Sequence, residues 1–321
     1  MLKAIDPLSR FVPRFVRRII GLSRRPGLGC VIRPGGLGDL VVLTDAALSL
    51  GIDIWRVVWI VESRNKAWCE YLKLPFICYD EFPGMRLAAK SRDGFDWVIV
   101  SEQSFGLSSC FACRLTSKDG KIVGFRSSCA SHLHDVNVDH SLGEHHEFNT
   151  FQKLFTEAQK VLQLPRLPLD HSKVAEHRAR CPQEDLVVVV LGGRQASARA
   201  LPLDDWCKII KLAAQESSRV ILLGAVVDTK FSVEITIASP EVTMNLVGKI
   251  PFGETISYIR KAKAVFGVDS GLIHVATFFN VPTTAIFCED DKVVRWAPRA
   301  EGSRSIRIEE LRSMYAHQAM S

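Results

Sequence analysis

The stretch Cys30-Val31-Ile32-Arg33-Pro34-Gly35-Gly36-Leu37-Gly38-Asp39 decides the fold. Cys30 to Arg33 reads as a short strand, the Pro-Gly run ends it, and Leu40 to Leu50 carries helical spacing. A strand that passes through three glycines into a helix lets the backbone approach a ligand and aims free N–H groups at it. The dinucleotide fingerprint G-x-G-x-x-G is incomplete, because Gly36-x-Gly38 is followed by Val41 where a third glycine is needed. Asp39 opens the helix, where an acidic side chain suits both the cap and the dipole. Two readings stay open for it: a simple capping aspartate, or a carboxylate at the carboxyl edge of a parallel sheet, placed to act as a general base.

Working outward, strands and helices alternate. Strands are expected at 57–61, 76–79, 97–100 and 122–125, with helices at 63–72, 104–115 and 147–162. Residues 165–184 are polar and Pro-punctuated and read as a connector. A second alternation follows, with strands at 186–191, 220–223, 244–247, 264–268 and 282–287 and helices at 204–215, 228–238, 252–261 and 272–279. The pattern predicts an α/β protein of two halves, each a parallel sheet covered on both faces, with a cleft between facing strand ends. The expected boundaries are an arm at 1–26, a first domain at 27–165, a linker at 166–185, a second domain at 186–302 and a helical tail at 303–321.

In the second half, Asp269-Ser270-Gly271-Leu272-Ile273-His274 closes a strand and opens a helix. The N–H groups of that helix start, with about half a positive charge, suit a pyrophosphate. Gly271 allows close approach, Ser270 offers a hydroxyl, and His274 one turn on points at the same anion. Asp269 is repelled by phosphate and is expected to accept bonds from hydroxyls, such as those of a sugar. The alternative is an Asp/Ser cap over a buried histidine. Gly192-Gly193 is a second glycine turn, with Arg194 and Arg199 nearby as cationic partners for phosphate.

With 321 residues, 47% hydrophobic and 24% charged, the chain has ordinary globular composition, which excludes disordered, collagen-like and coiled-coil classes. No run of ~18 apolar residues is present to span a bilayer. The net charge of +6 resides in residues 1–29, which hold seven basic residues against Asp6; the rest is neutral. A broad nucleic-acid-binding face is therefore not expected. On a helical wheel Leu8, Phe11, Val12, Phe15, Val16 and Ile19 fall on one side and Arg10, Arg14, Arg17 and Arg18 on the other. Residues 1–25 are thus expected to lie on an anionic membrane surface, the alternative being a helix packed on the domain. Nine scattered cysteines, an odd number, fit a reducing compartment, and a cytoplasmic protein, peripheral on the inner face of the cytoplasmic membrane, is expected. Cys110-x-x-Cys113 and Cys129-x-x-His132 have the spacing of a zinc site, but the first pair falls in a helical run, so core cysteines are the default. The other histidines of the 132–146 cluster read as loop-borne.

Together these residues resemble the ADP-heptose:lipopolysaccharide heptosyltransferases of glycosyltransferase family nine over about residues 28–300. The carrying motifs are Val31 to Asp39, Gly192-Gly193 through Leu201-Pro202 and Trp206, Leu222 to Ala225 with Asp228, Phe266 to Ala276, Val281-Pro282, and Trp296 with Pro298. The resemblance implies a GT-B architecture, two Rossmann-like domains facing across a cleft. It also implies metal-independent, inverting transfer of a sugar from a nucleotide-sugar donor, ADP-heptose, to a lipopolysaccharide-core or related glycan or glycolipid acceptor. Asp39 matches the family's general base, with Gly35, Gly36 and Gly38 in the acceptor-side loop. Arg194, Arg199, Asp228, Asp269, Ser270, Gly271 and His274 fall on the donor side, with no cofactor and no metal. Arg199 stands where the family has a lysine, Asp228 where it often has a glutamate, and Asp45 where it has a proline. Val98 to Glu102 lacks the usual acceptor-side sequence. Competing readings are a protein-modifying heptosyltransferase, kept by the Cys/His spacing, and a non-catalytic nucleotide-sugar-binding protein.

Overall fold

The computed structural model describes residues 23–81, 93–103, 106–126, 130–140, 144–168, 174, 178–179, 181–192 and 201–316. The chain divides into two compact units, residues 1–142 with 147–171 and residues 143–146 with 172–321. Strands of the first unit are β1 (Ser23–Arg33), β2 (Val58–Val61), β3 (Phe76–Cys78), β4 (Asp93–Val100), β5 (Thr116–Phe125) and β6 (Val136–Val138). They form one parallel sheet in the order β3-β2-β1-β4-β5-β6. Its helices are α1 (Leu37–Ser49), α2 (Lys66–Tyr71), α3 (Leu107–Leu115) and α4 (Glu147–Val161).

The second unit repeats the plan. Strands β7 (Val187–Val190), β8 (Val220–Leu223), β9 (Val242–Asn245), β10 (Ala264–Val268), β11 (Thr283–Phe287) and β12 (Arg304–Arg307) form a parallel sheet in the order β12-β11-β10-β7-β8-β9. Helices α5 (Leu203–Ala214), α6 (Thr229–Ala238), α7 (Phe252–Lys261), α8 (Gly271–Phe278), α9 (Asp290–Trp296) and α10 (Ile308–Ala316) connect and flank them. In each unit the strand order reverses beside the first strand, between β1 and β4 and between β7 and β10. Open parallel sheets bind ligands at the carboxyl ends of the strands at such a switch point.

The residues explain the elements. The four valines of β7 and Val220-Ile-Leu-Leu223 of β8 are buried on both faces, the pattern of central parallel strands. Helix α5 buries Trp206, Ile209, Ile210 and Ala213 at helical spacing against its sheet. Helix α4 does the same in the first unit with Phe148, Phe151, Phe155 and Ala158.

Three local expectations are revised. The strand expected from Cys30 begins at Ser23, inside the expected arm, and Ser23–Arg25 pair with Asp93–Phe95. Pro26 falls in the register shift between Arg25 and Gly29, where a missing N–H breaks no ladder bond. The helix expected over 63–72 begins as a 3-10 turn, Ser63–Asn65, before α2, as helix starts often do; Asp80 accepts the backbone N–H (2.8 Å) and the hydroxyl (2.7 Å) of Ser63 there. The tail expected at 303–321 instead supplies the edge strand β12, which buries only Ile306 of its four residues, before α10. The boundary between the two units falls between residues 171 and 172, inside the connector expected at 166–185. The apolar and basic faces expected at residues 8–19 lie outside the described residues. Among the described residues no helix is long and apolar enough to cross a membrane.

His134 lies in a loop as expected, between the 3-10 turn Ser131–Leu133 and β6, and is buried there. His134 is 3% exposed, its Nε2 2.7 Å from Ser109 Oγ and its Nδ1 3.1 Å from Asn137 Oδ1. The neutral ring satisfies both: Nδ1–H donates to the amide oxygen and Nε2 accepts the hydroxyl. Burial pushes its pKa down to about 4. An unfolded imidazole takes up a proton near pH ~6.5, so the stability present above that pH is lost as pH falls toward 4. Between pH 7.5 and pH 5 this group alone is expected to cost about 2 kcal/mol of stability. Urea denaturation at the two pH values should show that loss in the wild type and a smaller one in His134→Gln; equal losses would refute it.

Candidate active site

Arg33, the last residue of β1, is a cation directly after the apolar run Cys30-Val31-Ile32 and is 6% exposed. Its Nη2 lies 2.5 Å from Asp39 Oδ1 and its Nη1 donates to the carbonyl of Ser101, just past β4, at 2.7 Å. The guanidinium therefore spans the switch point of the first sheet. Asp39 sits in the first turn of α1, and its Oδ2 accepts the N–H of Gly36 at 3.1 Å. Those two bonds use two of about four lone-pair positions on the carboxylate, and the side chain stays 27% exposed.

The glycine turn is held from below by β2. Gly35 N–H donates to Glu62 Oε1 at 3.2 Å, and Asn65 Nδ2 donates to the Gly35 carbonyl at 2.9 Å. Tyr79 donates to the same Glu62 oxygen at 2.7 Å, while Glu62 Oε2 pairs with Arg64 at 2.5 Å. Burial, then the bond to Glu62, push the Tyr79 phenol upward, so it remains a donor. Gly35 has φ +122°, and a Cβ there would lie 3.3 Å from Asp39 Oδ2 and 3.4 Å from Arg33 Nη2. Only glycine meets both demands.

In the second unit β7 runs into Leu191-Gly192, and β10 runs into Asp269-Ser270 at the tip of α8. A Cβ on Gly192 would lie 2.8 Å from the Ser270 Cβ, so the two strand ends close on each other at the switch point. Ser270 occupies the cap position of α8 without a side-chain capping bond, and its buried Oγ meets no partner among the described residues. His274, 5% exposed, places Nε2 3.3 Å from Asp269 Oδ1, with its ring 5.3 Å from that of Trp296. Helix N–H groups, a hydroxyl and an imidazole at one tip are groups that can together hold an anion. Asp228 closes the 3-10 turn after β8, 2% exposed, with Oδ2 accepting the Ala225 N–H at 3.3 Å. A small cleft beside Asp269 is lined by Cys288, Glu289 and Lys292.

The structure thus gathers Gly35, Gly36, Gly38 and Asp39 at one turn, and Asp269, Ser270, Gly271 and His274 at one helix tip. Asp228 lies two strands from β10 on the same sheet edge, its carboxylate turned back on its own turn. Arg194 and Arg199 lie outside the described residues. Cys110 and Cys113 lie on α3, Cys113 in the core cluster and Cys110 packed against it, while His132 is exposed and Cys129 lies outside the described residues. Among the described residues no group of three or more histidine, cysteine or acidic side chains is arranged to hold a metal.

Sequence reading assigned no role to Arg33, Ser101, Glu62 or Asn65. Arg33 carried a signal, since a charge ending a buried strand needs a partner. The others act across more than 25 residues of chain and carried none.

Residues 85–318 match the model of glycosyltransferase family 9 (heptosyltransferase). That span contains Asp228 and Asp269 to His274; the Gly35–Asp39 turn precedes it. Lipooligosaccharide heptosyltransferase 2 of Haemophilus influenzae is 30% identical over 100 residues, covering 30% of this chain and only 29% of that relative. Among solved structures, E. coli heptosyltransferase WaaC with ADP has a TM-score of 0.67 at 16% identity, covering 91% of this chain and 98% of that one. E. coli ADP-heptose lps heptosyltransferase II gives 0.62 at 19% identity, covering 91% and 99%. A family 9 glycosyl transferase from Veillonella parvula gives 0.63 at 12%, covering 89% and 88%. At these identities the structural likeness is one of fold, and that fold is the GT-B class of α/β proteins. With the family match spanning well over half of its length, the chain belongs to glycosyltransferase family 9, the heptosyltransferases.

Proposed function

We propose that this protein transfers a heptose from ADP-heptose to a glycan acceptor of the lipopolysaccharide-core type, with inversion at the anomeric carbon. The observation that supports this reading is at the tip of α8, where the buried Ser270 hydroxyl, under Gly192 and beside the Asp269–His274 pair, meets no partner among the described residues. The fold shared with a relative solved with ADP, and with another structure of it holding ADP-2-deoxy-2-fluoro heptose, supports the choice of nucleotide.

In this reading the diphosphate lies against the α8 N–H groups, Ser270 and His274, with Arg194 and Arg199 as further cations. Asp269 accepts sugar hydroxyls. An acceptor hydroxyl gives its proton to Asp39 as its oxygen bonds to the anomeric carbon and the bond from that carbon to the β-phosphate oxygen breaks. Asp39 has lone pairs left for that proton beyond those held by Arg33 and Gly36. A positioned base contributes typically ~10²- to 10⁴-fold. Stabilising charge on the departing ADP supplies the larger part.

Thermal denaturation with ADP, UDP and GDP tests the donor. ADP at a hundred times its Kd is expected to stabilise the protein by about 2.7 kcal/mol, a rise of about 5–10 °C in Tm. A rise with UDP or GDP but not ADP contradicts the reading.

A further inference from the structure

We propose that Arg33 is the positioning residue for Asp39, setting the direction in which its free lone pairs point; this rests on the reading of Asp39 as the base. Both terminal nitrogens of the guanidinium are held, while its buried Nε has no partner among the described residues. Nη2 holds Asp39 Oδ1 at 2.5 Å and Nη1 holds the Ser101 carbonyl at 2.7 Å. Ser101 is itself tied to β1, its hydroxyl and its N–H both donating to the Ile32 carbonyl at 2.9 and 3.2 Å. Phe151 of α4 packs its ring 5.2 Å from Cζ. The side chain is only 7% exposed.

A buried ion pair is weak evidence for stability, because well-packed apolar residues of similar volume do as well. Its geometric effect is larger. A planar fork that holds the Ser101 carbonyl past β4 with one nitrogen and Asp39 of α1 with another constrains the carboxylate in angle as well as in distance, which a single ammonium does not. One oxygen of Asp39 is held by the fork and the other by the Gly36 N–H, so the carboxylate plane is determined. Reaction rates are steep in such alignment; a 1 Å misplacement costs on the order of 10²-fold. The donor is proposed to rest on other residues, Ser270, Gly271 and His274, so ADP affinity and kcat are read as separate quantities.

The test is ADP release from ADP-heptose with heptose-deficient lipooligosaccharide as acceptor, at saturating donor, alongside calorimetric titration with ADP. Arg33→Ala is expected to lower kcat about 10- to 100-fold with ADP affinity within about twofold of wild type. Guanidinium ion at tens of millimolar should restore part of the loss, since it refills the vacated fork. In the Asp39→Asn background the same substitution should cost less than about threefold, because the two act as one unit. Wild-type kcat in Arg33→Ala, or an equal loss in both backgrounds, overturns the proposal. If Arg33→Ala fails to fold, Arg33→Lys decides: a kcat at least about fivefold lower at unchanged Tm and ADP affinity supports it, and an unchanged kcat refutes it. Turnover retained in Asp39→Asn alone would instead remove the base itself, a different failure.

Discussion

Asp39→Asn is expected to lower kcat by about 10²- to 10⁴-fold, the range a positioned general base supplies, while ADP affinity stays within about twofold. The asymmetry follows from the structure. Asp39 lies in the first turn of α1 and is held by Arg33 and Gly36, whereas the proposed anion site uses residues after β7 and β10. An asparagine keeps the volume and one acceptor for Arg33, but it cannot take the acceptor's proton. Its amide N–H₂ would also face the Gly36 N–H, so the first turn of α1 loses a cap at a cost of about 1 kcal/mol. A Tm within a few degrees of wild type then separates lost chemistry from lost structure. Turnover near wild type would show that another group accepts the proton.

The second large effect is expected at His274. Replacing it with alanine removes a donor from the α8 tip and leaves Asp269, 6% exposed, without the imidazole now 3.3 Å away. A hydrogen bond to a charged group is worth about 1.5–3 kcal/mol, so ADP should bind about 10- to 100-fold more weakly. Losing the imidazole beside the Asp269 carboxylate also raises its repulsion of an incoming diphosphate, which adds to the loss. His274→Gln keeps a donor on a similar stem and should recover part of the affinity. Equal ADP affinity in wild type and His274→Ala would place the diphosphate elsewhere.

The two halves differ in how far their sequence disclosed them. β8, β10 and α7 run over the residues expected, because buried parallel strands read as unbroken apolar runs and α7 keeps its apolar period between Pro251 and Ala262. β6 and β12 were illegible for a physical reason. Val136-Asn-Val138 is three residues long, and Arg304-Ser-Ile-Arg307 is an edge strand whose charges face outward. The Asp39 turn and the Asp269 tip were legible because glycine and aspartate directly after an apolar strand mark the carboxyl edge of a sheet. The buttress beneath the turn was not. Glu62 and Asn65 are 27 and 30 residues from Gly35, and Ser101 is 68 from Arg33, contacts that only the strand order β2-β1-β4 creates. His134 was illegible likewise, since its partners Ser109 and Asn137 lie on separate elements.

Titrating ADP into Asp39→Asn and His274→Ala side by side tests most directly whether acceptor activation and donor holding reside in separate turns. The expected result is wild-type affinity in the first protein and affinity at least about tenfold weaker in the second. The reverse, with Asp39→Asn losing ADP and His274→Ala keeping it, contradicts this division of labour.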